Sequence, residues 1–81
     1  MDKEDILITL YEIISEVVDG LETPLSREVE AKDINGWDSL AHIKIIVLTE
    51  KKFNIKFSLG EIAEISNVGE FVDLIEVHLR D

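Results

Sequence analysis

Few residues in this chain can do covalent chemistry, and most of them stand alone. Of five serines, only Ser39 is preceded by an aspartate, Asp38, and followed by a leucine, Leu40. A serine in the first turn of a helix lies near unpaired backbone N–H groups and the positive end of the helix dipole. That setting tolerates a phosphodiester on the hydroxyl, and Asp38 adds a carboxylate beside it. The plainer alternative is that Asp38 or Ser39 only caps the helix. Ser58 and Ser66 have capping or loop explanations, Ser15 lies within the first predicted helix, and Ser26 sits in a loop. His42 stands one turn after Ser39 with no second ligand near it in sequence, so a metal site is rejected. His78 falls near the end of the last predicted helix, a favourable dipole position. The chain has no cysteine, no glycine-rich phosphate loop and no paired carboxylates with evident roles. Neither an enzyme nor a disulfide or thiolate-metal scaffold is expected.

Helical periodicity supplies the elements that must position Ser39. From Asp2 to Val18 the residues Ile6, Leu7, Leu10, Ile13, Ile14, Val17 and Val18 fall at helical spacing. Acidic residues occupy the first turn, and Gly20 is a natural stop. Residues 21 to 37 read as a long loop, interrupted by Pro24 and ended by the turn dipeptide Asn35-Gly36. Leu21, Leu25, Val29 and Ile34 are expected to pin it across the bundle, since a loop this long must be tied down or functional. A second helix opens near Asp38-Ser39 and runs to about Lys52. Its inner face is read as Leu40, Ile43, Ile46 and Val47, with Phe53 just past the end. Ile45 and Leu48 widen the apolar arc and are candidates for core, a cargo pocket or a docking surface. Asn54-Ile55-Lys56-Phe57 alternates like a strand but is too short to pair alone, so it reads as an extended connector. Ser58 and Glu61 form a capping box that opens a short helix through Glu64. Asn67 caps the last helix, whose apolar face is Val68, Phe71, Val72, Leu74, Ile75 and Leu79. The expected fold is all-α: a small four-helix bundle, three longer helices and one short, with a long loop between helices one and two. Residues 1–81 are read as one domain.

The chain carries 18 acidic and 8 basic residues, a formal net charge of −10, and 46% hydrophobic residues. The apolar content suffices for one modest core. The charge repels nucleic acid and anionic membrane and favours partners with basic patches. No apolar run approaches a membrane span, and Met1-Asp2-Lys3-Glu4-Asp5 lacks the basic start of a signal peptide. A cytoplasmic location is expected.

Gly36-Trp37-Asp38-Ser39-Leu40 resembles the attachment motif of the acyl and peptidyl carrier proteins, whose core is Asp-Ser-Leu at the start of the second helix. Its context matches as well, since the motif follows a long loop in a short acidic chain. The likeness continues through Asp33-Ile34 upstream, then Phe53, Ile55-Lys56-Phe57, Ile62 and Ile65-Ser66-Asn67-Val68 downstream. It covers essentially the whole chain. The resemblance implies a 4'-phosphopantetheine arm on Ser39, with Asp38 helping to bind the metal ion of the phosphopantetheinyl transferase that installs it. It also implies a protein without catalysis of its own that delivers acyl thioesters between enzymes of lipid or polyketide-type biosynthesis. An aminoacyl or peptidyl carrier loaded by an adenylating enzyme is the alternative. The implied partners are the transferase, an acyl-loading ligase or transacylase, and acyl-processing enzymes. A monomer is expected.

Two features are left open by that likeness. Trp37 either packs as a lid over the loop or stands near the arm and touches cargo or partner. In the fatty-acid-synthesis members the second helix is studded with acidic residues, whereas here it carries Lys44, Lys51 and Lys52, with Glu50 its only carboxylate after the motif. This surface is expected to discriminate against the usual basic partner patches and to mark a specialised carrier.

Overall fold

The computed structural model describes residues 2–18, 26–34 and 36–80. The expectations placed on Gly20, Leu21, Pro24, Leu25 and Asn35 lie outside them. Among the described residues there are four α-helices and no strand: α1 (Lys3–Val17), α2 (Ser39–Phe53), α3 (Leu59–Glu64) and α4 (Val68–Arg80). A 3₁₀ turn, Ala31–Asp33, sits in the segment between α1 and α2.

Each helix begins where a short polar side chain can accept a backbone N–H. Asp2 caps α1 through Asp5 N–H at 2.9 Å, and Asn67 caps α4 through Glu70 N–H at 2.8 Å. In α3 the box is complete: Ser58 Oγ accepts from Glu61 N–H at 3.2 Å, and Glu61 Oε1 accepts from Ser58 N–H at 2.8 Å. A box of this kind satisfies two orphan donors at once, which lets a six-residue helix hold its place. The α2 helix ends on Asn54, left-handed at φ 56°, whose N–H returns to the Glu50 carbonyl. Asparagine tolerates that conformation better than most residues. The connector behind it is held because Glu50 Oε2 accepts from Phe57 N–H at 2.9 Å, and Phe57 then turns into the core.

The α1 helix packs against both α2 and α4. Ile6, Leu10, Ile13 and Ile14 of α1 meet Ala41, Ile45 and Ile46 of α2 and Val68, Phe71, Val72 and Ile75 of α4 in one continuous core. Phe57 and Phe71 lie edge to face with centroids 5.9 Å apart. Thr49 is fully buried too, and its hydroxyl donates to the Ile45 carbonyl at 2.7 Å, so it enters the core with its polar group satisfied.

The inner face expected for α2 is corrected. Leu40, Ile43 and Val47 lie on the outside, 63%, 61% and 42% exposed, while Ala41, Ile45, Ile46 and Thr49 face inward. Of the expected set only Ile46 is core. Ile45, left open between core and pocket, is fully buried, and Leu48 is half-buried. Leu79 of α4 is likewise on the exposed side.

The segment before α2 is tied down, but largely through its backbone. Val29 and Arg27 carbonyls accept from Val68 and Gly69 N–H, each at 2.9 Å. Gly69 permits that approach: a Cβ there would sit 3.0 Å from both the Arg27 carbonyl oxygen and its Cβ. Arg27 also reaches Asp73 on α4, whose carboxylate Lys3 of α1 contacts from the other side at 2.9 Å. Hydrogen bonds from Arg27 and then Lys3 hold the Asp73 carboxyl below its ordinary value. Ile34 is buried and Val29 half-buried, as expected.

Candidate attachment site

The site is built at the first turn of α2. A turn delivers the chain to it: Trp37 N–H donates to the Ile34 carbonyl at 3.3 Å, and Gly36 supplies the positive φ of 89° that the turn requires. Asp38 follows in extended conformation as the N-cap, and its Oδ1 accepts from Ala41 N–H at 2.8 Å. Ser39 is therefore not the cap. It is the first residue of the helix proper, exposed, and its hydroxyl makes no hydrogen bond among the described residues.

Of the two readings open for this pair, capping thus falls to Asp38 and leaves Ser39 free. The backbone N–H groups of Ser39 and Leu40 likewise have no partner among the described residues. Two unpaired donors and the positive helix end surround the hydroxyl, an arrangement that suits a phosphate diester. The residues present therefore fit a phosphate-linked group on Ser39 oxygen. Leu40, beside it, points away from the core and is mostly exposed.

Trp37 and His42 form a pair that sequence reasoning did not join. The indole Nε1–H donates to His42 Nδ1 at 3.1 Å, and the rings stack with centroids 6.0 Å apart and planes at 28°. Both are half-buried, so Trp37 behaves as a lid at this end of the bundle. Accepting at Nδ1 requires that nitrogen to be unprotonated, and burial lowers the His42 pKa, which favours the neutral ring. Their five-residue separation spans a loop and a helix start, so no helical periodicity would have linked them. His78 takes a tertiary role as well, 3.0 Å from Glu61 Oε2 and edge-on to Phe57. Among the described residues no cluster of ligating side chains could hold a metal ion, and no helix is long and apolar enough to cross a membrane.

Comparison with known proteins places this geometry. Residues 35–75 match the model of the phosphopantetheine attachment site family. The chain is 33% identical over 75 residues to an acyl carrier protein of Acidothermus cellulolyticus, covering 93% of this chain and 89% of the relative. It is 37% identical over 78 residues to a meromycolate extension acyl carrier protein of Mycolicibacterium smegmatis, covering 91% and 75% respectively. Its fold is similar to the solution structure of a holo acyl carrier protein from Geobacter metallireducens, with a TM-score of 0.85 and 41% identity over 93% of this chain and 86% of the other.

The chain belongs to the phosphopantetheine-binding carrier family. Within it, this is an acyl carrier protein, which bears a covalent 4'-phosphopantetheine and carries acyl groups as thioesters. Membership of that family makes it a carrier and implies interaction with a phosphopantetheinyl transferase and with biosynthetic enzymes.

Proposed function

We propose that Ser39 holds the arm and that Asp38 serves the enzyme that installs it. The observation that carries this reading is the division of labour at the α2 start: Asp38 caps, while the Ser39 hydroxyl and two backbone N–H groups have no partner among the described residues. Only one Asp38 oxygen is used in capping, which leaves Oδ2 for the transferase's metal ion. Ser39 oxygen would displace the nucleotide part of coenzyme A at phosphorus, its proton passing to the transferase. The arm supplies a terminal thiol for the acyl group. Because the chain has no cysteine, no thiol of its own competes for the cargo. The test is incubation with coenzyme A and a broad-specificity phosphopantetheinyl transferase. One phosphopantetheinyl increment is expected in the intact mass, and it vanishes in Ser39→Ala; an increment surviving that substitution would refute the assignment.

The partner enzymes are read from the outer face of α2. Leu40, Ile43 and Val47 form an exposed apolar stripe that begins next to Ser39, flanked by exposed Lys44 and Lys51. An enzyme reaching the arm must approach this face. It is therefore suited to a partner with an apolar seat and acidic or neutral rims, and poorly suited to one with a basic patch. This supports a specialised carrier with dedicated enzymes; a cytoplasmic, monomeric, single-domain protein is part of the same proposal. Several wrong-signed contacts at about 0.2–1 kcal/mol each amount to roughly tens-fold in affinity. The modified protein should be a poor substrate for a housekeeping malonyl transacylase, and Lys44→Glu with Lys51→Glu should improve it. Turnover equal to that of the transacylase's own carrier would overturn this reading.

A further inference from the structure

The attachment end and the α2 face leave one large feature of the surface unused. A groove of about 420 Å³ runs between α3 and α4. Ile65, Leu74 and Val77 supply its apolar lining, and carboxylates of Glu61, Glu64, Glu70 and Asp73 rim it. Two of those carboxylates are engaged: Glu61 with His78, and Asp73 with Arg27 and Lys3. Glu64 and Glu70 form no ion pair among the described residues, so two negative charges face solvent across an apolar lining.

We propose that this groove docks a basic amphipathic helix of a partner protein. Its apolar side chains would seat on Leu74 and Val77 and its lysines or arginines on Glu64 and Glu70. The groove is open to solvent along its length, whereas small-ligand sites enclose most of their ligand. An extended helix with an apolar face and cationic edges fits both the shape and the sign of charge. The same partner is repelled by the outer face of α2, where Lys44 and Lys51 flank the apolar stripe. The two faces therefore select partners of opposite charge, and a protein held in the α3–α4 groove leaves Leu40 and Ser39 open to an enzyme. A second copy of this chain could offer α2 itself as the basic apolar helix. That contact would be head-to-tail and non-closing, and it would cover the attachment end.

The test is a titration of the isotope-labelled full chain, followed by amide chemical shifts. The probe is a synthetic helical peptide with leucines on one face and lysines at its edges, compared with a scrambled peptide of equal composition. Shifts are expected to cluster at Ile65, Glu70, Leu74 and Val77, and to fade as salt rises. Glu64→Gln with Glu70→Gln should weaken binding roughly fivefold, the loss of two exposed ion pairs. Val77→Asp places a charge on a half-exposed lining residue, so the fold is retained, and it should weaken binding about tenfold or more. Ser39→Ala should bind as the parent does, and Val77→Asp should still accept phosphopantetheine, so this proposal and the Ser39 assignment fail separately. Equal binding of the scrambled peptide, or shifts spread over the acidic surface of α1, would overturn the proposal. So would undiminished binding by Val77→Asp, or concentration-dependent self-association of the free chain that perturbs the same groove residues.

Discussion

The helices α2 and α4 start alike, each with a side-chain cap on the third N–H, and differ in what becomes of the first two. In α4 the Val68 and Gly69 donors are spent on loop carbonyls, so that helix end is closed and structural. In α2 the Ser39 and Leu40 donors have no partner among the described residues, and an unbonded hydroxyl stands beside them. One N-terminus anchors the chain that leads to α2, and the other leaves its first two donors and the Ser39 hydroxyl unengaged among the described residues. The first two donors of α1 and α3 also have no partner among the described residues, so what sets the α2 start apart is the exposed, unbonded Ser39 hydroxyl beside them.

The largest expected effect separates capping from recruitment within Asp38. Asp38→Asn keeps a good cap and removes the charge, so stability should hold within a few tenths of a kcal/mol. Modification by the transferase should nevertheless fall about 10–100-fold, the usual cost of disturbing a metal-ion contact. Asp38→Ala should lose both, adding about 1 kcal/mol of destabilisation. Denaturant melts together with initial rates of coenzyme A consumption would check this. An Asn variant modified at the parental rate would leave Asp38 only its capping role.

At the closed end the sign of one substitution is diagnostic. Alanine normally replaces glycine in a helix with a gain of up to about 1 kcal/mol. Gly60, with nothing within 4 Å of its would-be Cβ, should follow that rule. Gly69→Ala should instead destabilise by about 1–3 kcal/mol, because its Cβ meets the Arg27 backbone. Hydrogen exchange at Val68 and at residue 69 should quicken at the same time. Equal gains at both positions would mean that the loop contact has no energetic weight.

A smaller effect tests the lid beside the open end. The fold favours neutral His42, so its contribution is complete above the ordinary histidine value of 6.5 and is lost as pH falls through the lower value in the folded protein. Protonation removes the acceptor of the indole N–H, at a cost of about 0.5–1.5 kcal/mol for a hydrogen bond. Trp37, the only tryptophan, reports this directly: its fluorescence should change on acidification below neutrality, and His42→Gln should shift or abolish that titration. A flat profile would place the two rings apart in solution.

How far the sequence foretold these features depended on how local they are. The starts of α3 and α4 were readable because a cap is a short-range pattern, as with Ser58 and Glu61, whereas Asp2, read as part of the first turn of α1, proved to be its cap. The phase of α2 was not readable. Apolar residues at 40, 43, 45, 46, 47 and 48 surround much of the helix, so periodicity cannot say which side turns inward. Small Ala41 and self-satisfied Thr49 took core positions that larger residues seemed to claim. The outward apolar stripe of Leu40, Ile43 and Val47 was the residue of that ambiguity. The Trp37–His42 pair and the seat of Gly69 on Arg27 join residues across the fold, and only the packed chain brings them together. The likeness through Asp38-Ser39-Leu40 identified the candidate site, but not which of its two side chains would be the cap.

The open helix end can be examined one amide at a time. Backbone amide shifts of the full chain, recorded before and after enzymatic phosphopantetheinylation, should move most at Ser39 and Leu40, the two donors facing a phosphate on Ser39. Val68 and Gly69, already bonded to loop carbonyls, should scarcely move. Modification that leaves Ser39 and Leu40 in place and instead shifts the surroundings of Ser26, Ser58 or Ser66 would contradict the account.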